Sequence, residues 1–77
     1  MMNKARRKEL ERAIELMGEA RDIIEDCKAE EEEYLENMPE NLQYSEKHDI
    51  AEAAVEAMER AVESVEDAIS NTEEASE

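Results

Sequence analysis

The residues of this chain that could do chemistry lie on either side of its only proline. Cys27 and His48 are the single cysteine and the single histidine, and Glu31 and Tyr34 follow Cys27 at helical spacing. A thiol beside an imidazole and a carboxylate is typical of a cysteine nucleophile or of a metal-ligand set. Whether these side chains meet depends on the elements that carry them.

Other signatures of catalysis or cofactor binding are missing from the sequence, which has no Gly-rich phosphate loop, nucleophile elbow or Cys-x-x-Cys pair. A di-iron helical bundle requires Glu-x-x-His, but Ser45 stands three residues before His48. The acidic run at 30–33 lacks the glycine of a calcium loop. We therefore predict a non-enzyme with no catalytic residue, metal or cofactor. On this interpretation, Cys27, Glu31, Tyr34 and His48 form a partly buried polar layer that fixes the helix register.

A short turn around the proline separates two segments that both have the spacing of an amphipathic helix. Met38 precedes Pro39 and is disfavoured in the α region, so the first helix should end near Asn37. Ser45 is suited to cap the second helix. The sequence therefore predicts an all-α antiparallel helical hairpin. The expected single domain, residues 1–77, comprises a helix at 3–37, a turn at 38–45, a helix at 46–72 and a frayed acidic tail at 73–77.

Heptad positions a and d supply the expected contacts between the two helices. Position d holds a small residue in both helices, with Ala20 in the first and Ala61 in the second. Pairing Ala20 with Ala61 also places Met17 opposite Val65, so two patterns agree on one antiparallel register. The same register puts His48 opposite Tyr34. The predicted seam comprises Ala20, Ile24, Cys27, Ala54, Met58, Ala61 and Val65.

The apolar stripe is wider than a seam between two helices requires, since Leu16, Ile23 and Val62 would stay exposed beside it, as would Val55 and Ile69. Ordering ~70 residues costs roughly 1.5 kcal/mol each, which needs ~4,000 Å² of buried apolar surface. A seam of alanines supplies much less. We therefore expect a homodimer in which two hairpins form a two-fold symmetric four-helix bundle.

Acidic residues dominate the composition, with 24 Asp and Glu against 9 Lys and Arg and a net charge of −15. Residues 1–12 nevertheless carry a net +3. In a hairpin this basic start would meet the acidic end at 63–77. The sequence has no signal peptide and no apolar run that would span a membrane, and one cysteine fits a reducing compartment. We expect a cytoplasmic protein with no membrane partner.

Heptad positions b and f carry a stripe of acids on each helix. A dimer ~45 Å long would present one charge per ~1.5 Å of axis, close to the ~1.7 Å of duplex DNA. Two interpretations stay open, a nucleic-acid mimic and a solvated face that keeps a small bundle soluble. The predicted partner-binding stripe comprises Glu25, Glu32, Glu36, Glu52, Glu56, Glu59, Glu63 and Glu66, with further acids at 11, 15, 22, 73 and 77.

The turn segment Asn-Met-Pro-Glu-Asn-Leu-Gln at 37–43, followed by Ser45, Glu46 and an Ala/Glu-rich helix, resembles small acidic helical-hairpin proteins of phages and prophages of Firmicutes. The likeness covers roughly residues 30–72. Its motif is structural and transfers no catalytic residue. The resemblance implies a phage protein in the cytoplasm of an infected bacterium.

Small acidic phage proteins often inhibit host defence nucleases, including CRISPR effectors and restriction enzymes. The resemblance therefore implies a host partner with a basic nucleic-acid-binding surface, and no direct binding of nucleic acid. The alternative is a coiled-coil adaptor in assembly, without an inhibitory role, whose charge serves only solubility. Steep weakening of binding with rising salt would favour mimicry over hydrophobic assembly.

Overall fold

The computed structural model describes residues 2–77, so residue 1 of the predicted domain lies outside the described range. Helix α1 spans Lys4–Glu36 and helix α2 spans Glu46–Ala75. A single turn of 3₁₀ helix, Glu40–Leu42, lies in the connection. The two helices pack side by side along a hairpin that is 60 Å long in all. The predicted all-α antiparallel hairpin is confirmed.

Local hydrogen bonds define both ends of α1, and the proline turn stops the helix from continuing. At its N-terminus, the side-chain oxygen of Asn3 accepts a hydrogen bond of 2.7 Å from the Arg6 amide. At its C-terminus, the Met38 amide donates to the Leu35 carbonyl at 3.2 Å. Pro39 then has extended backbone angles, φ −57° and ψ 146°. The Met38 side chain is buried beneath this turn.

Ser45 caps α2 and also closes the turn. Its Oγ accepts from the His48 amide at 3.3 Å and donates to the Leu42 carbonyl at 2.6 Å. Glu46 and Asp49 lie in the first turn of the helix, where carboxylates interact favourably with the positive end of the helix dipole. One serine therefore stabilises both the end of the turn and the start of the helix.

Helix α2 is longer than the sequence predicted. It continues to Ala75, whereas the expected end was residue 72 with a frayed tail at 73–77. The Ser76 amide donates to the Thr72 carbonyl at 3.1 Å, and Arg7 Nε of α1 donates to the Ser76 carbonyl at 2.9 Å. A cation bonded to the last carbonyls satisfies groups that would otherwise fray, which is why the helix persists.

The seam between the helices uses heptad positions a and e, in place of the predicted a and d. Side chains at these positions are at least half-buried in both helices, at spacings that alternate between three and four residues. In α1 they are Arg7, Leu10, Ile14, Met17, Arg21, Ile24, Lys28, Glu31 and Leu35. In α2 they are His48, Ala51, Val55, Met58, Val62, Val65, Ile69, Thr72 and Ser76.

The structure therefore moves the seam by one heptad position. Ala20 and Cys27 are exposed and lie outside it, while Ala54 and Ala61 are half-buried at its edge. Val62, expected to stay exposed, is only 7% exposed. The reason is area, because the branched residues at position e of α2 bury more apolar surface than alanines do.

Contacts at the two ends of the hairpin fix the register. Arg7 bonds to Ser76 at the terminal end, and Glu31 and Ala51 line one groove near the turn. Facing residues therefore have numbers that add to 82 or 83. This register keeps Met17 level with Val65 and His48 level with Tyr34 and Leu35, of which only Leu35 lies in the seam.

Candidate functional site: an acidic face and an apolar face

The antiparallel seam gives the hairpin two unlike sides. Because one helix runs up and the other down, equivalent heptad positions of both helices fall on the same side of the plane through their axes. With positions a and e in the seam, positions b and f form one side. Positions d and g form the other.

The side formed by positions b and f is called here the acidic face. Every one of its carboxylate residues is exposed. They include all the acids predicted to bind a partner, so the structure brings that predicted stripe together on one surface. The carboxylates of the acidic face are Glu11, Glu15, Asp22, Glu25, Glu32, Glu36, Asp49, Glu52, Glu56, Glu59, Glu63, Glu66, Glu73 and Glu77.

Half-buried basic side chains at position e reach the edge of the acidic face. Arg21 Nε lies 3.4 Å from Asp22 Oδ1, and Lys28 Nζ lies 4.0 Å from Glu32 Oε1. His48 Nδ1 lies 3.9 Å from carboxylate oxygens of Asp49 and Glu52. Each of these pairs lies within one helix, so they add little to the contact between helices.

Most of the acidic face has no cation of its own. Within residues 2–77, carboxylates of the face other than Asp22, Glu32, Asp49 and Glu52 have no basic nitrogen within 4.0 Å. Ten of its fourteen carboxylates are therefore available to cations of another molecule.

The charge is distributed unevenly along the axis. At the terminal end, residues 1–12 carry a net +3 and residues 68–77 a net −3, which cancel. Around the turn, residues 28–52 carry a net −7. The predicted contact of the basic start with the acidic C-terminal end is made by Arg7, through the Ser76 carbonyl and not through a carboxylate. The net charge of the hairpin therefore differs between its two ends as well as between its two faces.

The predicted layer of Cys27, Glu31, Tyr34 and His48 is not assembled as expected. Cys27 is exposed, and the register sets it about eight residues, or ~12 Å of helix axis, from the level of His48. Within the described part of the chain, no group of three or more His, Cys, Asp or Glu side chains is placed to hold a metal ion. The two residues with the most reactive side chains therefore do not form a common site.

Glu31 and Tyr34 do come together, but with a different partner. They line a groove of about 340 Å³ with Lys47, Ile50 and Ala51. Tyr34 also lines a second groove of about 440 Å³ against the turn, formed with Glu30, Glu33, Asn37, Met38, Pro39 and Leu42. Neither groove could be predicted from the sequence, because both depend on how the turn folds back against Tyr34.

The side formed by positions d and g is called here the apolar face, and it carries Leu16 and Ile23, which the sequence predicted to stay exposed beside the seam. Its large side chains are well exposed, with Leu16 at 52%, Ile23 at 64% and Ile50 at 62%. Tyr34 is exposed on the same face. Between them the positions are filled by small residues, namely Ala13, Ala20, Cys27, Ala54, Ala57, Ala61, Ser64 and Ala68.

The two faces are the only large surfaces that differ in chemistry along residues 2–77. In the same range, neither helix has a stretch long and apolar enough to cross a membrane. No protein-family model, curated protein or solved structure significantly matches this chain.

Proposed function

We propose that this chain is a non-enzymatic interaction protein whose acidic face binds the basic, nucleic-acid-binding surface of another protein. The observation that carries the proposal is the collection of fourteen exposed carboxylates on one face, ten of them without a cation nearby. Beyond Lys4 and Lys8 at the terminal end, the face has charges of one sign, and a surface of this kind steers and binds opposite charge. Solubility alone is served as well by charges of both signs scattered over the surface.

The repulsion within the face supports the same proposal. Acids at Glu52, Glu56, Glu59 and Glu63 stand three or four residues apart, a spacing at which like charges destabilise a helix by a few tenths of a kcal/mol per pair. A partner's lysines and arginines would remove this repulsion on binding. Part of the cost of folding the free chain then returns as binding energy.

The charge density favours a pair of hairpins over a single one as the mimic. The hairpin is 60 Å long, longer than the ~45 Å expected from the sequence, so a charge of −15 gives one charge per about 4 Å. Two hairpins side by side would give one per about 2 Å, against ~1.7 Å for duplex DNA. The nucleic-acid-mimic proposal therefore includes the homodimer.

The resemblance of the 37–43 turn to phage and prophage proteins supports a more specific form of the proposal. In this form the chain is a phage-encoded protein of the bacterial cytoplasm that inhibits a host defence protein, of the CRISPR-effector or restriction type. Its target surface is the one that normally holds nucleic acid, and the chain itself does not bind nucleic acid.

A second candidate function rests on the apolar face. Leu16, Ile23 and Ile50 are each more than half exposed on one face, and an exposed apolar patch often marks a protein contact. A coiled-coil adaptor would use this face, and the acidic face would then serve only solubility. The two candidates predict sensitivity to mutation on opposite sides of the hairpin.

The experiment reverses charge on the acidic face and compares it with an equal reversal elsewhere. The test variant changes Glu52, Glu56, Glu59 and Glu63 to Lys. The control variant changes four exposed acids on the outer edge of the helices, at position c, to Lys, and both variants have a net charge of −7. The control residues are Glu19, Asp26, Glu33 and Asp67.

Each variant is immobilised and exposed to a lysate of a Firmicutes host, and bound protein is eluted with duplex DNA. We expect wild type and control to retain a nucleic-acid-binding protein that the DNA displaces, and the test variant to lose at least 100-fold in affinity for it. Retention by the test variant at full strength, or elution that is indifferent to DNA, would overturn the mimic proposal. If a variant of the apolar face instead fails to retain the bound protein, the adaptor function is established.

A further inference from the structure

The hairpin by itself buries very little. Met38, Ala51 and Val62 are the only buried hydrophobic residues of the described chain, at 2% to 7% exposure, and none of them is completely buried. A chain of this size usually needs a larger core, a disulfide or an oligomer to fold stably. The sole cysteine is unpaired, which leaves association as the source of further burial.

The side of the hairpin that carries the apolar face has the dimensions of a standard interface. It is 60 Å long and about 14 Å wide, which corresponds to roughly 800 Å², and its charged residues at positions d and g lie toward the ends, at Arg6, Glu9, Glu30 and Lys47. A stable protein–protein contact takes about this area from each partner. Covering the face would also remove Leu16, Ile23 and Ile50 from water.

The composition of the face favours a second copy of the same chain as the occupant. Its middle is uncharged on both helices, from Ala13 to Cys27 in α1 and from Ile50 to Asn71 in α2. A second apolar face is equally uncharged over the same length, so no carboxylate or cation is buried in the middle of the contact when two copies meet. Small residues at position d, such as Ala20 and Ala61, let helix axes approach closely.

The uneven charge along the axis selects the orientation of the two copies. If the turns lay at the same end, two segments of net charge −7 would be stacked on each other. With the turns at opposite ends, each acidic turn lies beside a terminal end with no net charge, where the exposed cations Lys4, Arg6, Lys8 and Arg12 are found.

We propose that two copies pack apolar face against apolar face, with their turns at opposite ends, to form an antiparallel four-helix bundle. In this bundle α1 lies against α1 of the second copy, and α2 against α2. Full overlap places the two-fold axis near Ala20, the midpoint of α1, so that Ala20 faces the same residue of the second copy. The two acidic faces then lie on opposite outer sides of the bundle. The proposal does not depend on what the acidic faces bind.

A matched pair of substitutions tests which face forms the contact. Ala20 and Ala29 are both exposed alanines of α1, on the apolar and the acidic side of the hairpin respectively. Ala20→Arg and Ala29→Arg change the charge equally and keep a good helix former at each position. Sedimentation equilibrium of the full chain at micromolar concentration reports the oligomeric state.

We expect wild type and Ala29→Arg to sediment as dimers, at twice the chain mass of 8.9 kDa. Ala20→Arg should raise the dissociation constant at least 100-fold, because a guanidinium on the two-fold axis meets its own copy. A wild-type chain that is helical and monomeric at micromolar concentration would overturn the proposal. Equal dissociation constants for the two variants would do the same.

Cysteine cross-linking tests the orientation without depending on a destabilised variant. With Cys27→Ser as the background, Ala20→Cys and Ala29→Cys each place one thiol on an otherwise cysteine-free chain. After oxidation with diamide, Ala20→Cys should give a covalent dimer in high yield, since a residue on the axis comes within disulfide distance of its copy. Ala29→Cys should give little.

The wild-type thiol provides a further control. In the proposed bundle the two Cys27 side chains lie ~20 Å apart along the axis, so oxidised wild type should not be cross-linked within the dimer. If the turns lay at the same end, α1 would pack on α2 of the second copy and Ala20→Cys would not cross-link. That result would overturn the orientation, and efficient cross-linking of wild type would overturn the register.

Discussion

The acidic face and the apolar face are built on the same two helices and differ in almost every property. The acidic face collects fourteen exposed carboxylates, whereas the middle of the apolar face has no charge and carries Leu16, Ile23 and Ile50 among alanines. Each is unfavourable for a free hairpin, one through repulsion and the other through exposed apolar area. The free hairpin therefore has an unfavourable surface on each side, for a different physical reason on each.

The seam is what keeps the two faces apart. Residues at positions a and e divide each helix, so that acids at b and f never share a side with the alanines at d and g. A seam at a and d would have buried Ala20 and Ala61 and left the branched side chains exposed next to the acids. The rotation of the helices about their axes therefore decides which surfaces the chain offers.

The largest expected effect comes from breaking the seam itself. Val62→Asp should cost roughly 3 kcal/mol or more, because Val62 is 7% exposed and a buried carboxylate would have no partner there. Ala53→Asp is the matched control on the exposed outer edge of α2 and should cost under ~0.5 kcal/mol. Circular dichroism during urea unfolding measures both. Comparable losses for the two variants would mean that Val62 does not lie in the seam.

The sequence predicted the local structure better than the packing. Pro39, Ser45 and Asn3 act on their own neighbours, and the ends of α1 and the start of α2 lie where these residues put them. The seam was predicted one position away because position d holds small apolar residues in both helices, whereas position e of α1 holds Arg21 and Lys28. Only the area buried by both helices together distinguishes the two choices.

The same limit applies to the candidate site. The acids at positions b and f could be read directly from their spacing, because exposure does not depend on a particular contact. Whether Cys27 and His48 lie together could not be read from spacing, since it depends on the rotation of each helix about its own axis. The sequence predicted correctly that Leu16 and Ile23 stay exposed, but it placed Val55, Val62 and Ile69 beside them because it took positions a and d as the seam.

A smaller effect is expected when salt screens the charges of the acidic face. Raising NaCl from 20 to 500 mM should stabilise the hairpin by about 1 kcal/mol, because screening weakens the repulsion between neighbouring carboxylates. A variant with Glu56, Glu59 and Glu63 all changed to Gln should gain about half as much. Thermal melts at constant protein concentration give both values. A protein held by surface ion pairs would be destabilised by the same salt.

Arg7→Ala tests the contact that closes the terminal end of the hairpin. It removes the hydrogen bond from Arg7 Nε to the Ser76 carbonyl and should cost about 1 kcal/mol, with faster amide exchange confined to the last turn of α2. Arg12→Ala removes an exposed cation from the same segment and serves as the control. Unchanged exchange at Ser76 and Glu77 in Arg7→Ala would show that another group holds the C-terminus.

The smallest effect is expected at Gly18, which interrupts the row of acids at position b of α1. A methyl group built at Gly18 would meet only the Arg21 guanidinium at 4.0 Å, which is ordinary contact with a flexible side chain. Its backbone is helical, so Gly18→Ala should raise stability by about 0.5–1 kcal/mol, or several degrees of melting temperature. Because alanine adds neither charge nor bulk, binding through the acidic face should not change. A loss of stability would show that the glycine has a packing role in a contact beyond the single hairpin.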